Sequence, residues 1–150
     1  MKLLILNGPN LKYLGSREPH IYGTKTMEEL EGELRELMRS QISDGELELI
    51  SSDYEGALIE RLYQRDFDGL IINPGALSHY SLALSDALSA LSVPKVEVHI
   101  SNVFAREQER QNMVTAKNVD VVIAGAGPRV YAMAMEYLVE IYLRKTGIHV

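Results

Sequence analysis

A rhythm in the chain restricts its fold more than any other feature does. Short aliphatic runs recur at KLLIL (2–6), ELELIS (46–51), GLIIN (69–73), KVEVHIS (95–101) and VDVVIA (119–124), with helical-period segments between most of them. Each run is strand length, and turn residues stop the first and third: Asn7-Gly8-Pro9 and Pro74-Gly75. TMEELEGELRELMRS places Met27, Leu30, Leu34, Leu37 and Met38 on one helical stripe. Thr26, with Glu29 three residues on, reads as its capping box. EGALIERLYQR (55–65), SHYSLALSDALSALS (78–92), which stops before Pro94, and RVYAMAMEYLVEIYLRK (129–145) read as three further helices. Strands alternating with helices predict a parallel sheet covered on both faces, because each return to a parallel strand needs a crossover. The expected architecture is α/β: a flavodoxin-like three-layer sandwich around a five-stranded parallel sheet.

The 150 residues suit one catalytic domain spanning 1–150, with no linker and no low-complexity tract. Residues 8–25 interrupt the pattern with no hydrophobic period, and we read them as a lid loop. A net charge of -6 without a Lys/Arg cluster argues against nucleic acid as a partner. The chain has no cysteine, which excludes disulfides and thiolate metal sites. No stretch has the length of a membrane span or a secretory apolar region, so no membrane association is expected and the expected compartment is the cytoplasm.

In such sheets ligands bind beyond the carboxyl ends of the strands. There the sequence puts Asn7, Gly8, Pro9 and Asn10 after the first strand, and Asn73, Pro74, Gly75, Ser78 and His79 after the third. His99, Ser101, Asn102, Arg106 and Arg110 follow the fourth. In KVEVHIS the alternation sends Val96, Val98 and Ile100 to one face and Glu97, His99 and Ser101 to the other. If the strand is interior, a buried Glu and His must be paired or functional; if it is an edge, that face is merely solvated. On a continuous helix His79 and Asp86, seven residues apart, would point the same way. His79 would then sit in the first turn, suited to a ligand hydroxyl and poorly suited to a proton. GAGPRV (125–130) lacks the third glycine of a dinucleotide fingerprint and follows the last strand, so it reads as a strand-to-helix turn with free N–H groups. Asn7 and Asn73 stand where a phosphoacceptor domain needs carboxylates, and no metal-ligand spacing occurs; neither a metal nor a cofactor is expected.

Inside the lid segment SREPHIYG, Tyr22 follows Arg17 by five residues. A tyrosine with a pKa of about 10 acts as a base near neutrality only if that value is depressed. A neighbouring guanidinium supplies such a depression, and a shift of about three units corresponds to about 4 kcal/mol. Taken alone, the segment fits an exposed loop tyrosine stacked on a proline better than a catalytic one.

LNGPNLKYLGSREPHIYG, SSDYEGALIE, INPGALSHYSLALSDAL and VEVHISNVFARE together resemble type II 3-dehydroquinase (3-dehydroquinate dehydratase), in order and spacing over nearly the whole chain. The resemblance implies trimers assembled into a homododecamer, no cofactor, and a hydro-lyase of the shikimate pathway serving aromatic amino acid biosynthesis. The implied reaction is anti elimination of water from 3-dehydroquinate through an enolate. It assigns Tyr22 as proton acceptor, Arg17 as stabiliser of the phenolate and developing charge, and His99, oriented by Glu97, as proton donor. Asn10 would position the water that holds the enolate oxygen. Asn73, His79 and Arg110 would clamp the substrate, Ile100 and Ser101 would bind its carboxylate, and Asp86 would reach a neighbouring subunit's site. The chain departs from the family pattern at Asp53, Tyr54, Glu109, Met113 and Val130. Glu109 bears on the geometry of Arg110, and Asp53-Tyr54 on assembly. A competing expectation is a binding or scaffold relative with weakened catalysis.

Overall fold

In the computed structural model, residues 1–16 and 18–147 are described. Five strands, β1 (Lys2–Asn7), β2 (Glu46–Ser51), β3 (Gly69–Asn73), β4 (Lys95–His99) and β5 (Val121–Ala124), form one parallel sheet in the order β2-β1-β3-β4-β5. The expected flavodoxin-like sandwich is therefore observed. Its helices are α1 (Pro19–Tyr22), α2 (Met27–Gln41), α3 (Glu55–Tyr63), α4 (Leu82–Ser89) and α5 (Arg129–Thr146).

The period-two alternation of β1 decides the layers. Leu3 and Ile5 join a core with Leu30, Leu34 and Met38 of α2 and Ala134, Met135 and Leu138 of α5. Leu4 and Leu6 face the other way, onto Leu58 and Leu62 of α3 and Leu84 and Leu88 of α4. All four β1 residues are fully buried, as expected of a strand covered on both faces. The capping box of α2 is present: Glu29 N–H donates to Thr26 Oγ1, and Thr26 N–H donates to Glu29 Oε2 at 2.8 Å.

Two expectations need correction. Residues 78–92 are not one helix. A 3₁₀ segment, Gly75–His79, ends before Ser81, whose hydroxyl caps α4 by accepting the Leu84 N–H at 2.9 Å. Ser81 also bonds Glu55, so its side chain is fixed outside the helix it starts. The lid segment is not uniformly irregular either, since it contains a 3₁₀ turn, Leu11–Tyr13, and the one-turn helix α1. Leu11 and Leu14 anchor its first half in the core. Midway along it, Gly15 (φ 90°) packs against the backbone of its last residues: a Cβ there would stand 2.9 Å from Thr24 O, too close for any side chain.

Candidate active site

Strand order reverses between β1 and β3, and the crevice at that switch point is where this fold binds ligands. A pocket lies there, lined by Asn10 from the loop after β1, Asn73 and His79 from the β3 side, and His99, Ile100, Ser101, Arg106 and Arg110 from the β4 side. Seven residues predicted from sequence as site residues are thus brought together. Glu97 lies beneath them and Asp86 does not line the pocket. Tyr22 is the last residue of α1. The assignment of Arg17 lies outside the described residues.

β4 runs between β3 and β5, which removes the edge-strand reading of KVEVHIS. Val96, Val98 and Ile100 enter the α2/α5 core, while Glu97 and His99 turn to the opposite face. Glu97 is 0% exposed and accepts three hydrogen bonds: His99 Nε2–H at 2.7 Å, Ser78 Oγ–H at 2.7 Å and Thr115 Oγ1–H at 2.7 Å. Both carboxylate oxygens are thus satisfied in a place closed to water. With Nε2 committed to Glu97, Nδ1 is the nitrogen His99 has left to carry a proton to a ligand.

The ring of His79 stacks on that of His99 with centroids 6.3 Å apart. Its Nδ1 donates to the Asn112 carbonyl at 2.7 Å, which leaves Nε2 as an acceptor in the neutral ring. Desolvation pushes its pKa below the ordinary histidine value, aided by His99 and Arg110 and opposed by the Asn112 carbonyl and Glu97. His79 therefore favours the neutral form, as the sequence suggested. The cause is burial, because His79 ends a 3₁₀ segment and does not open a helix.

Below the pocket floor, Tyr131 joins the ends of β1 and β3. Its hydroxyl donates to Asn7 Oδ1 at 2.7 Å and accepts from Asn73 Nδ2 at 3.0 Å, while Gly75 N–H holds Asn73 Oδ1 at 3.2 Å. The Asn73 amide is therefore fixed in orientation. Burial pushes the Tyr131 phenol far above its usual range, so it stays protonated.

Arg110 pairs with Glu107 at 2.8 Å, and that bond pulls Glu107 down to about 2. The neighbour that sets the position of Arg110 is thus Glu107 rather than Glu109. Asp53, one of the departures from the family pattern, accepts the Asn10 N–H at 2.8 Å and pairs with Lys12. Asn10 sits at φ 72°, in the left-handed region where asparagine is among the few residues tolerated.

The GAGPRV turn departs from expectation in one respect. Three of its N–H groups are not free, since Gly125 donates to His99 O at 3.1 Å, Gly127 to Ile100 O at 3.0 Å and Val130 to Gly127 O at 3.2 Å. Gly125 (φ 91°) has room for no side chain without pressing on Asn102, 3.1 Å from a Cβ there. Sequence reasoning gave no role to Arg106, Thr115 or Tyr131, nor to the Ser78 hydroxyl. Thr115 and Tyr131 carry no local signal, one lying in a stretch of mixed residues with no period and the other on the apolar stripe of α5.

Among the described residues no group of His, Asp and Glu is arranged to hold a metal ion, and no helix is long and apolar enough to cross a membrane. Residues 1–139 match the family model described as dehydroquinase class II. The 3-dehydroquinate dehydratase of Thermotoga petrophila is 48% identical over 138 residues, covering 92% of this chain and 94% of that protein. The catabolic 3-dehydroquinase of Sclerotinia sclerotiorum is 45% identical over 141 residues, covering 92% of each chain. The crystal structure of type II dehydroquinase from Butyrivibrio crossotus superposes with a TM-score of 0.88 at 43% identity, covering 92% of this chain and 97% of that one.

Proposed function

The chain belongs to the class II dehydroquinase family, and from that membership we propose how its residues remove water from 3-dehydroquinate to give 3-dehydroshikimate. The observation that carries the reading is the dyad at the end of β4, His99 bonded through Nε2 to a Glu97 carboxylate wholly removed from water. An elimination beside a ketone needs a base for the carbon acid, a stabiliser for the enolate oxygen and an acid for the leaving hydroxyl.

The Tyr22 phenolate, stabilised by Arg17, takes the proton beside the ketone and leaves an enolate. A water held by Asn10 hydrogen-bonds to the enolate oxygen. As the enolate collapses, the carbon–oxygen bond to the departing hydroxyl breaks and His99 delivers a proton from Nδ1, so that water leaves. Glu97 stabilises the imidazolium before transfer and keeps Nε2 occupied afterwards. Asn73, with its amide fixed by Tyr131 and Gly75, and neutral His79, with Nε2 open, hold substrate hydroxyls. Ile100, Ser101 and Arg110 take the carboxylate. Arg106, which also lines the pocket, adds positive charge at that end.

A Schiff-base route would need a lysine in the pocket, and among the described residues none lines it. The buried Lys95 starts β4, at the opposite end of the strand from His99, and donates to the Leu91 and Val93 carbonyls.

The single domain acts with residues 8–25 as its lid, a reading supported by glycines at positive φ on either side of α1, Gly15 and Gly23. Subunits assemble into a homododecamer in which Asp86 serves a neighbour's site. In support, Asp86 is exposed on α4 outside its own pocket, and Tyr80, Leu82 and Phe104 are large apolar side chains more than half exposed. The protein is read as cytoplasmic, in keeping with a chain that contains no cysteine.

The test is direct. Purified protein incubated with 3-dehydroquinate, without added metal or nucleotide, should generate the near-ultraviolet absorbance of the conjugated enone. Tyr22→Phe and His99→Ala should abolish most of it while leaving the assembled mass unchanged. A folded, oligomeric protein that produces no enone would refute the reading, as would borohydride trapping of substrate on a lysine.

A further inference from the structure

The dyad works only if the Glu97 carboxylate itself is held still, and His99 alone cannot hold it. We propose that Thr115, with Ser78, is a positioning residue of this enzyme: the two hydroxyls clamp Glu97 as the fixed anionic partner of His99. The proposal rests on the functional reading above and extends it to residues that touch no reacting atom.

The geometry carries it. Ser78 and His99 both bond Oε1 of Glu97, while Thr115 alone among the three bonds Oε2. The two oxygens are thus pinned from different elements, Ser78 from the 3₁₀ segment after β3 and Thr115 from the stretch between β4 and β5. The carboxylate cannot rotate about its terminal torsion without breaking a 2.7 Å bond on each side. Thr115, Ser78 and Glu97 are all 0% exposed. A pure space-filling role would suit valine, which has the same shape, whereas a hydroxyl in a dry site is costly unless it is used.

The strap that delivers Thr115 is itself stitched to the site. Val114 N–H donates to the Ser78 carbonyl at 2.7 Å, Ser85 Oγ donates to the Val114 carbonyl at 2.9 Å, and Asn118 Nδ2 donates to Ser85 O at 2.9 Å. The same strap presents the Asn112 carbonyl that sets the tautomer of His79. One segment, 112–118, therefore fixes both histidines of the pocket.

Loss of the Thr115 hydroxyl leaves Oε2 charged and unbonded. The neutral-histidine state of the dyad suffers more than the imidazolium–carboxylate state, because in the latter the cation already stabilises the anion. Protonation of the dyad thus moves to higher pH, and the freed carboxylate no longer aims His99 at one point. Besides Glu97, the titratable or charged groups facing His99 among the described residues are His79 from the segment after β3 and Arg106 and Arg110 from the loop after β4. None of these changes in the variant.

The experiment compares the wild type with Thr115→Val, Thr115→Ser and Ser78→Ala, reading kcat and KM across pH and, without substrate, the His99 titration by NMR of protein carrying ¹³C-labelled histidine. For Thr115→Val, kcat should fall about tenfold or more, with KM little changed, as expected for losing a buried hydrogen bond to a charged group. The His99 midpoint should rise, and Thr115→Ser should restore both. A folded Thr115→Val with unchanged kcat and midpoint overturns the proposal. So does a Thr115→Ser variant as impaired as Thr115→Val, which would mark the role as packing. Should Thr115→Val not fold, Ser78→Ala decides, with a raised midpoint in support and an unmoved one against. The titration needs no turnover, so a wild type inactive on 3-dehydroquinate would sink the functional reading and leave the clamp separately testable.

Discussion

Tyr131→Phe removes one oxygen atom from the centre of the molecule and, with it, a bridge between two strands. The hydroxyl is wholly buried and joins two side chains, donating to Asn7 Oδ1 and accepting from Asn73 Nδ2. Phenylalanine fills the same space, so no cavity forms and the cost is purely polar. Two groups lose a partner, at about 1–3 kcal/mol for each buried polar atom left unsatisfied. The sum falls toward the lower half of that range for two reasons. The variant no longer buries a hydroxyl, and Asn73 borders the pocket, where water can replace one bond. The expected loss is about 2–4 kcal/mol, a large part of the ~5–15 kcal/mol that stabilises a typical domain. With a urea dependence of about 2 kcal/mol/M, the unfolding midpoint should drop by about 1–2 M at fixed protein concentration and unchanged slope. KM should rise as well, because the Asn73 amide keeps only its Gly75 anchor. A loss of stability below about 0.5 kcal/mol would overturn this account, since it would mean that the asparagines do not depend on Tyr131.

The rim of the site and its second histidine yield two further outcomes. Asp53→Ala should raise KM several-fold, because it frees both the Asn10 N–H and Lys12, and Asp53→Asn should recover most of the effect through the amide oxygen. Added salt should reproduce only the Lys12 part, which is exposed and screened, and steady-state kinetics within twofold of wild type for Asp53→Ala would count against this lock on Asn10. His79 should titrate below the ordinary value of about 6.5, since burial disfavours its charged form. Between the folded and unfolded midpoints the unfolded chain binds more protons at this residue, so its contribution to stability is intact above about pH 6.5 and declines as the pH falls through that window. Histidine NMR showing a His79 midpoint above 6.5 would contradict the assignment.

The fold is legible in the sequence because its signals are local. Runs such as KLLIL and GLIIN, the Thr26/Glu29 capping box and the alternation in KVEVHIS each lie within a few neighbouring residues. The carboxyl ends of those strands then deliver Asn73, His99 and their neighbours to one edge. The break at Ser81 escapes such a reading, since a serine followed by good helix-forming residues can either continue a helix or cap a new one. Its bond to Glu55, 26 residues away, fixes which.

The order of residues along the chain thus specifies the layered sheet, the edge that carries the chemistry and, by resemblance, the reaction. How that chemistry is held emerges only from the packed fold: Thr115 and Ser78 on Glu97, Asn112 on His79, and Tyr131 between Asn7 and Asn73. Periodicity and caps are set by neighbours along the chain. A hydrogen bond between residues as far apart as Asn7 and Tyr131 obeys no period, and it exists only once packing has brought two strands and a helix to the same buried point.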